Sequence, residues 1–231
     1  EPNLMITPAE FPVPLIILPE TDSTNNYLTQ LCGEQQSVVR EFTTVIAERQ
    51  TAGKGQRGNS WESEDCRNIT FSFVLYPTFV EARRQFILSQ IVSLSIKEEL
   101  DEWTKGISIK WPNDIVMNGK KVCGILTEMS AQMDYVNHIV IGIGINVHNE
   151  SFPEEIAPVA TSLYMETGEH FNRAALIEEV WEQFEHYYAI FMETEDLSGL
   201  VKEYDAHLVN RNQIVKVLDP KEPFEGKAMG I

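Results

Sequence analysis

A chain of 231 residues, 43% of them hydrophobic, can build one good-sized core plus a small appendage, which sets disorder aside. A formal net charge of -17 repels phosphate backbones and anionic lipid surfaces, so nucleic acid and membrane are poor principal partners, while a small anion needs only a local gathering of positive charge. Cys32, Cys66 and Cys123 form neither a disulfide frame nor a C-x-x-C pair, no apolar run of about 18 residues occurs, and Glu1 to Pro14 lacks a basic signal start, so a reducing cytoplasm is the expected location.

Pro14 to Leu18 reads as a short strand, after which Asp22 or Ser23 can cap a helix through about Cys32. Phe42 to Glu48 and Asn68 to Tyr76 are β-rich, with a long polar, glycine-containing loop over 49–67 between them. From Val80 to Trp103 apolar residues recur at helical spacing, predicting the longest helix. Ile107 to Lys110 and Ile115 to Met117 are short strands, and Asn118-Gly119 is a strong hairpin signal because both residues tolerate positive φ. Val122 to Met129 and Tyr135 to Val147 continue the sheet.

Leu176, Ile177, Val180, Trp181, Phe184, Tyr188 and Phe191 stripe a second amphipathic helix, and Asp196 is placed to cap a third. Beyond Val209 come short strands, Gln213 to Leu218 and Phe224 onward, too few to close a sheet. The expected organisation is α+β with a largely antiparallel central sheet: a main domain over 1–209 and an incomplete small β domain over 210–231.

Positive charge is indeed gathered. Seven of the 18 Lys+Arg (Arg49, Lys54, Arg57, Lys105, Lys110, Lys120 and Lys121) fall in 49–57 and 105–121 beside one acid, Asp114, which points to a phosphate or carboxylate site. Within them, Gly53-Lys54-Gly55-Gln56-Arg57-Gly58 satisfies G-x-G-x-x-G, but no helix opens there, so a dinucleotide fold is refused. A kinase loop would need H-R-D and D-F-G segments, and these are absent. What survives is a mobile loop whose backbone N–H groups approach a ligand, with Lys54 and Arg57 adding charge and Trp61 a stacking face; the bland alternative is a flexible surface loop.

Period two over 138–147 puts Ile141, Ile143 and Ile145 on one face and Gly142, Gly144 and Asn146 on the other, where missing side chains admit something flat or simply a close-packed helix. Asn146 would then donate and accept at the pocket edge. The same period puts Lys121 on a face with Cys123 and Ile125, so its ammonium needs an anion, either Asp114 or a substrate. Cys123 reads as core, and the five histidines show no ligand spacing, so no dedicated metal cluster is expected.

Ser23-Thr24-Asn25, the run from Gln50 through Gly58 to Trp61, Lys110-Trp111-Pro112-Asn113-Asp114, Lys121 with Gly124-Ile125-Leu126, and Gly142 to Val147 together resemble biotin protein ligases, in that family's order. The resemblance implies a fold related to class II aminoacyl-tRNA synthetases followed by an SH3-like barrel. It implies ATP-dependent conversion of biotin to biotinyl-5'-AMP and transfer to a lysine of a carboxylase biotin-carrier domain, with Mg²⁺ accompanying ATP and Asp114 as a candidate contact. By resemblance, Ser23, Thr24, Asn25, Gln50, Gly53, Lys54, Lys121 and Gly124 hold biotin. Lys54, Gln56, Arg57, Trp61, Lys110, Asn113, Asp114, Lys121 and Asn146 hold ATP or the adenylate, and Lys121, Lys54 and Arg57 are the catalytic cations.

The loop departs from the family's usual G-R-G-R, with Lys54 at the first arginine and Gln56 at the second, which implies weaker retention of the adenylate. Because the sequence opens almost directly on the catalytic motifs, a repressor role is not expected. A lipoate ligase or octanoyltransferase would need an R-G-G or S-G-G-G segment, which is missing, whereas a ligand-sensing module would tolerate loss of Lys121. The carrier domain, or a second copy in a homodimer, is expected at an open sheet edge near Lys121.

Overall fold

The computed structural model describes residues 6–35, 38–61, 66–217 and 221–231. Strands β1 (Leu15–Thr21), β2 (Thr44–Gln50), β3 (Asn68–Leu75), β4 (Ile107–Lys110), β5 (Asp114–Met117), β6 (Lys120–Gln132) and β7 (Tyr135–Asn146) form one sheet in the order β1-β2-β3-β7-β6-β5-β4. The β1–β2 pair is parallel, because helix α1 (Thr24–Gln35) carries the chain back between them, and every other pair is antiparallel. This is the mixed, largely antiparallel sheet that the strand-then-helix order predicts.

Helices α2 (Phe86–Trp103) and α4 (Arg173–Thr194) cover one face, where Ile141, Ile143 and Ile145 meet Phe71, Phe73, Trp181 and Phe184 in the main core. Helix α1 covers part of the other face, packing Leu28 and Cys32 on Val45, Val74 and Val140. A short helix α3 (Leu163–Thr167) follows β7, and α5 (Val201–His207) precedes a separate two-stranded pair, β8 (Ile214–Val217) with β9 (Phe224–Lys227). Leu218, expected at the end of β8, lies outside the described residues, as do 62–65 of the long loop. Among the described residues no helix is long and apolar enough to cross a membrane.

Three expectations are corrected. The helix expected from Val80 begins at Phe86, because the backbone of 80–82 is already bonded to the β6–β7 turn, with Ala82 N donating to Asp134 O and Val136 N to Val80 O. Asp196 does not cap α5; its Oδ1 accepts from Ser198 N in the turn ahead of it, and α5 starts after Leu200 without a side-chain cap. Lys121 is not at a sheet edge: β6 is an inner strand, and the Lys121 backbone pairs with Val159 and Thr161. The Asn118-Gly119 hairpin stands as expected, with φ of 52° and 79°.

Candidate active site

Cross-strand register builds the floor of a cleft. One row across β6, β7 and β3 is Gly124, Gly144 and Thr70; the next is Leu126, Gly142 and Ser72. These point to the face shared with α1, but α1 covers only the following row, Val140 and Val74, so the glycine rows are left open beyond its first turn. The resulting cleft is lined by Ser23, Thr24, Asn25, Gln50, Lys54, Gln56, Trp61, Lys121 and Gly124, together with Gly142 and Gly144.

The rim is a hydrogen-bonded chain. Gln50 Oε1 accepts from Thr24 N at 2.8 Å and from Thr24 Oγ1 at 3.2 Å, tying the end of β2 to the first turn of α1. The buried Ser72 hydroxyl lies 2.7 Å from Thr24 Oγ1 and 2.5 Å from Asn25 Oδ1. Asn25 crosses Gly142 so closely that a Cβ there would meet its Oδ1 at 2.3 Å. Ser72 and Thr70 were not singled out from sequence, although the polar alternation Asn68, Thr70, Ser72 between apolar residues marks a second polar strand face.

Lys121 reaches this face through a β-bulge. Ile115 pairs with Cys123 but Val116 with Lys121, so Val122 is an extra residue; it joins the core, and Lys121 is turned away from Cys123 and Ile125 onto the Gly124 side. Strict alternation along the strand predicts the opposite face for Lys121. Its Nζ sits 2.9 Å from Asp114 Oδ1 and 5.7 Å from the Trp61 ring, and a Cβ at Gly124 would lie 3.1 Å from it. Cys123 faces the core, and burial pushes its thiol up, which removes it as a nucleophile.

The glycine segment is a tight hairpin. Trp61 N donates to Gly53 O, Gly55 N to Asn59 O and Asn59 N to Gln56 O, so these backbone groups serve the turn and not a ligand. A Cβ at Gly53 would strike Trp61 O at 2.5 Å. No helix begins here; a single 3-10 turn spans Gln56–Gly58, with Arg57 at φ 53° and exposed. The hairpin delivers Trp61 onto the floor, where a Cβ at Gly144 would lie 2.4 Å from its Cε2. The flat object that lies on the glycines is the chain's own indole.

That placement carries a cost. Trp61 Nε1 is buried without a hydrogen-bond partner among the described residues, which costs about 1–3 kcal/mol and offsets part of the stacking gain. Gly144→Ala would crowd the same floor. Loss of planar-ligand binding by roughly tenfold to a hundredfold is expected, from 1–3 kcal/mol of overpacking, and titration calorimetry checks it.

Other expected contacts lie outside the cleft. Asn113 is buried, its Nδ2 donating to Ile125 O at 2.6 Å, so it anchors β6 under the floor. Asn146 is spent inside the fold, accepting from Asn68 Nδ2 at 2.8 Å and donating to Thr161 O at 3.1 Å, and does not present its amide at the edge. Lys110 is exposed at the end of β4, Arg57 is exposed, and Asp114 pairs in register with Gly124 of the floor while its carboxylate holds Lys121. Among the described residues no group of three or more His, Cys, Asp or Glu could hold a metal ion, so these residues do not form a Mg²⁺ cage.

The fold and the cleft describe a mixed α/β domain with one glycine-floored, cation-rimmed cleft, and comparison with known proteins gives the family. The biotin/lipoate A/B protein ligase family model matches residues 18–146, and the chain belongs to that family. The bifunctional ligase/repressor BirA of Bacillus spizizenii is 36% identical over 195 residues, 83% of this chain and 59% of that protein. The biotin–acetyl-CoA-carboxylase ligase of Paracoccus denitrificans is 33% identical, covering 66% of this chain and 63% of its own. The structure of the biotin protein ligase from Aquifex aeolicus in complex with biotin and ATP matches with a TM-score of 0.81 at 32% identity, over 94% of this chain and 87% of that one. The chain thus spans less than two thirds of the length of these two curated relatives.

Proposed function

We propose that this chain activates biotin with ATP to biotinyl-5'-AMP and passes the biotinyl group to a lysine of a carboxylase carrier domain. The observation that carries the reading is the convergence of Lys54 and Lys121, from distant stretches of an acidic chain, on a glycine-floored cleft. It is supported by family membership and by the likeness to a ligase whose structure holds biotin and ATP.

In this reading Ser23, Thr24, Asn25, Gln50 and Gly124 receive the bicyclic ring and its chain, while Trp61 leaves the floor to cover the adenylate. A biotin carboxylate oxygen bonds to the α-phosphorus as the bond to pyrophosphate breaks, and Lys121 and Lys54 hold the negative charge that accumulates where two anions meet. The carrier lysine then attacks the acyl carbon, AMP departs, and the amine proton passes to solvent. Mg²⁺ would accompany ATP and neutralise phosphate charge, and Asp114 would be the side chain of this chain to hold it. The fold is of the class II aminoacyl-tRNA synthetase kind, β8 and β9 open a small SH3-like module over 210–231, and the protein works in the cytoplasm without nucleic acid. A homodimer belongs to the same reading.

The deciding experiment is mass spectrometry of a carrier domain mixed with this protein, biotin and Mg-ATP. An ATP-dependent gain of one biotinyl group is expected; no gain on a carrier that another biotin ligase does modify rejects the reading. Gln56 lines the cleft where the family carries arginine. Gln56→Arg adds a fixed cation, and a charged hydrogen bond of about 1.5–3 kcal/mol should slow adenylate release by roughly tenfold or more in a chase with labelled biotin. An unchanged rate would show that this position does not grip the phosphate.

A further inference from the structure

We propose that Glu128, on β6 at the far rim of the cleft, is the latch on which the glycine hairpin closes, a positioning residue that acts through Lys54. Its two carboxylate oxygens are both engaged: Oε1 lies 2.9 Å from Lys54 Nζ, and Oε2 accepts from Asn25 Nδ2 at 2.9 Å. Asn25 is itself held, its Oδ1 accepting from the fully buried Ser72 hydroxyl, so the carboxylate is aimed before the hairpin arrives. The hairpin is rooted at Gln50, which Thr24 fixes on the opposite rim. Gln50, Thr24, Ser72, Asn25, Glu128 and Lys54 therefore close a ring of side chains around the mouth.

The charge is otherwise hard to explain. A carboxylate beside a cleft for anions repels its ligand unless it is there to hold a cation, and Glu128 holds the hairpin's cleft-lining lysine. Pinned in this way, Lys54 stays over the cleft until a ligand anion competes for it. The pair is partly exposed, with side-chain accessibilities of 40% and 34%, so its effect on the hairpin's opening equilibrium is of surface salt-bridge size. The latch itself requires no ligand; its consequence, slower escape of bound biotin, rests on the ligase reading above.

Limited trypsin cleavage after Arg57, in ligand-free protein, reads hairpin opening. Glu128→Gln, which keeps an acceptor for Asn25 and removes the charge, should speed cleavage about threefold, and Lys54→Gln should do the same. The double variant should be cut no faster than either single one, because both remove one interaction. An unchanged rate in Glu128→Gln, or effects that multiply in the double variant as general loosening of the rim would give, overturns the latch. Dissociation of labelled biotin should likewise be about threefold faster from Glu128→Gln. If the native protein binds no biotin, the ligase reading fails while the cleavage rates still decide the latch. If it binds biotin and Glu128→Gln releases it at the native rate, the ligase reading stands and the retention claim is lost.

Discussion

Lys121→Ala is expected to lower kcat/KM for biotin-dependent ATP–pyrophosphate exchange by about 10²–10³, the loss seen when one fixed donor to developing negative charge is removed from a preorganised site. The expectation is anchored in how the lysine is delivered. The bulge at Val122 is the device that turns Lys121 out of the core and onto the glycine floor, and the 159–161 segment grips its backbone from outside the sheet. The position is therefore rigid although the side chain is long. Its ion pair with Asp114 is partly exposed, at 37% and 29%, and contributes no more than about 1 kcal/mol, so the variant should melt within a few degrees of the native protein.

Loss of exchange without loss of fold separates chemistry from architecture. Lys121→Arg should not restore the rate in full, because a guanidinium is wider than an ammonium and the path over Gly124 is already tight against Trp61. The same variant divides the ligase from a sensing module: a sensor with Lys121→Ala keeps its response to ligand, whereas a ligase loses turnover. Exchange above about a third of the native rate would remove Lys121 from the chemistry, since so small a change corresponds to well under 1 kcal/mol of transition-state stabilisation.

What could be read from the residues follows from which forces decide each feature. Alternation along 138–147 is a local property, and Ile141, Ile143 and Ile145 enter the core as their period requires while Gly142 and Gly144 face the cleft. Asn118-Gly119 likewise carries its own turn chemistry. The bulge is different. Val122 looks like any strand residue, and nothing local says that it is the inserted one; register is settled by how β5 and β6 share the core, so alternation alone assigns Lys121 to the wrong face.

Charge clustering was partly misleading for a related reason. Lys54 and Lys121 do converge, but Arg49 pairs with Glu20 on the surface and Lys110 stays exposed, because proximity in sequence says nothing about which side of a strand a cation leaves from. The start of α2 failed through competition: helical periodicity from Val80 is real, yet the hydrogen bonds of residues 80–82 to the β6–β7 turn claim that backbone first. Glu128 carries no signal of its own in the sequence, since a lone acid in a strand is ordinary until the fold puts a lysine against it.

The largest effect on stability is expected away from the cleft, at Arg173. This arginine opens α4 and is 2% exposed; its Nη1 lies 3.1 Å from Glu48 Oε2 on β2 and donates at 2.9 Å to Asn68 O at the start of β3. One guanidinium thus clamps the two strands that carry Gln50, Thr70 and Ser72 into the site. Arg173→Ala removes the Arg173 cation from beside the buried Glu48 carboxylate, which costs about 3–5 kcal/mol, and for a chain of this size a melting temperature roughly 10 °C lower should follow in calorimetry. A buried pair need not itself be strongly stabilising, because desolvation opposes the Coulomb gain. Replacing both partners with apolar residues, Arg173→Met with Glu48→Leu, should therefore recover much of the loss. If the double variant melts lower than Arg173→Ala, the uncompensated Glu48 charge is not the main cost of losing the arginine, because both variants lack the bond to Asn68 O and only the single one keeps the carboxylate.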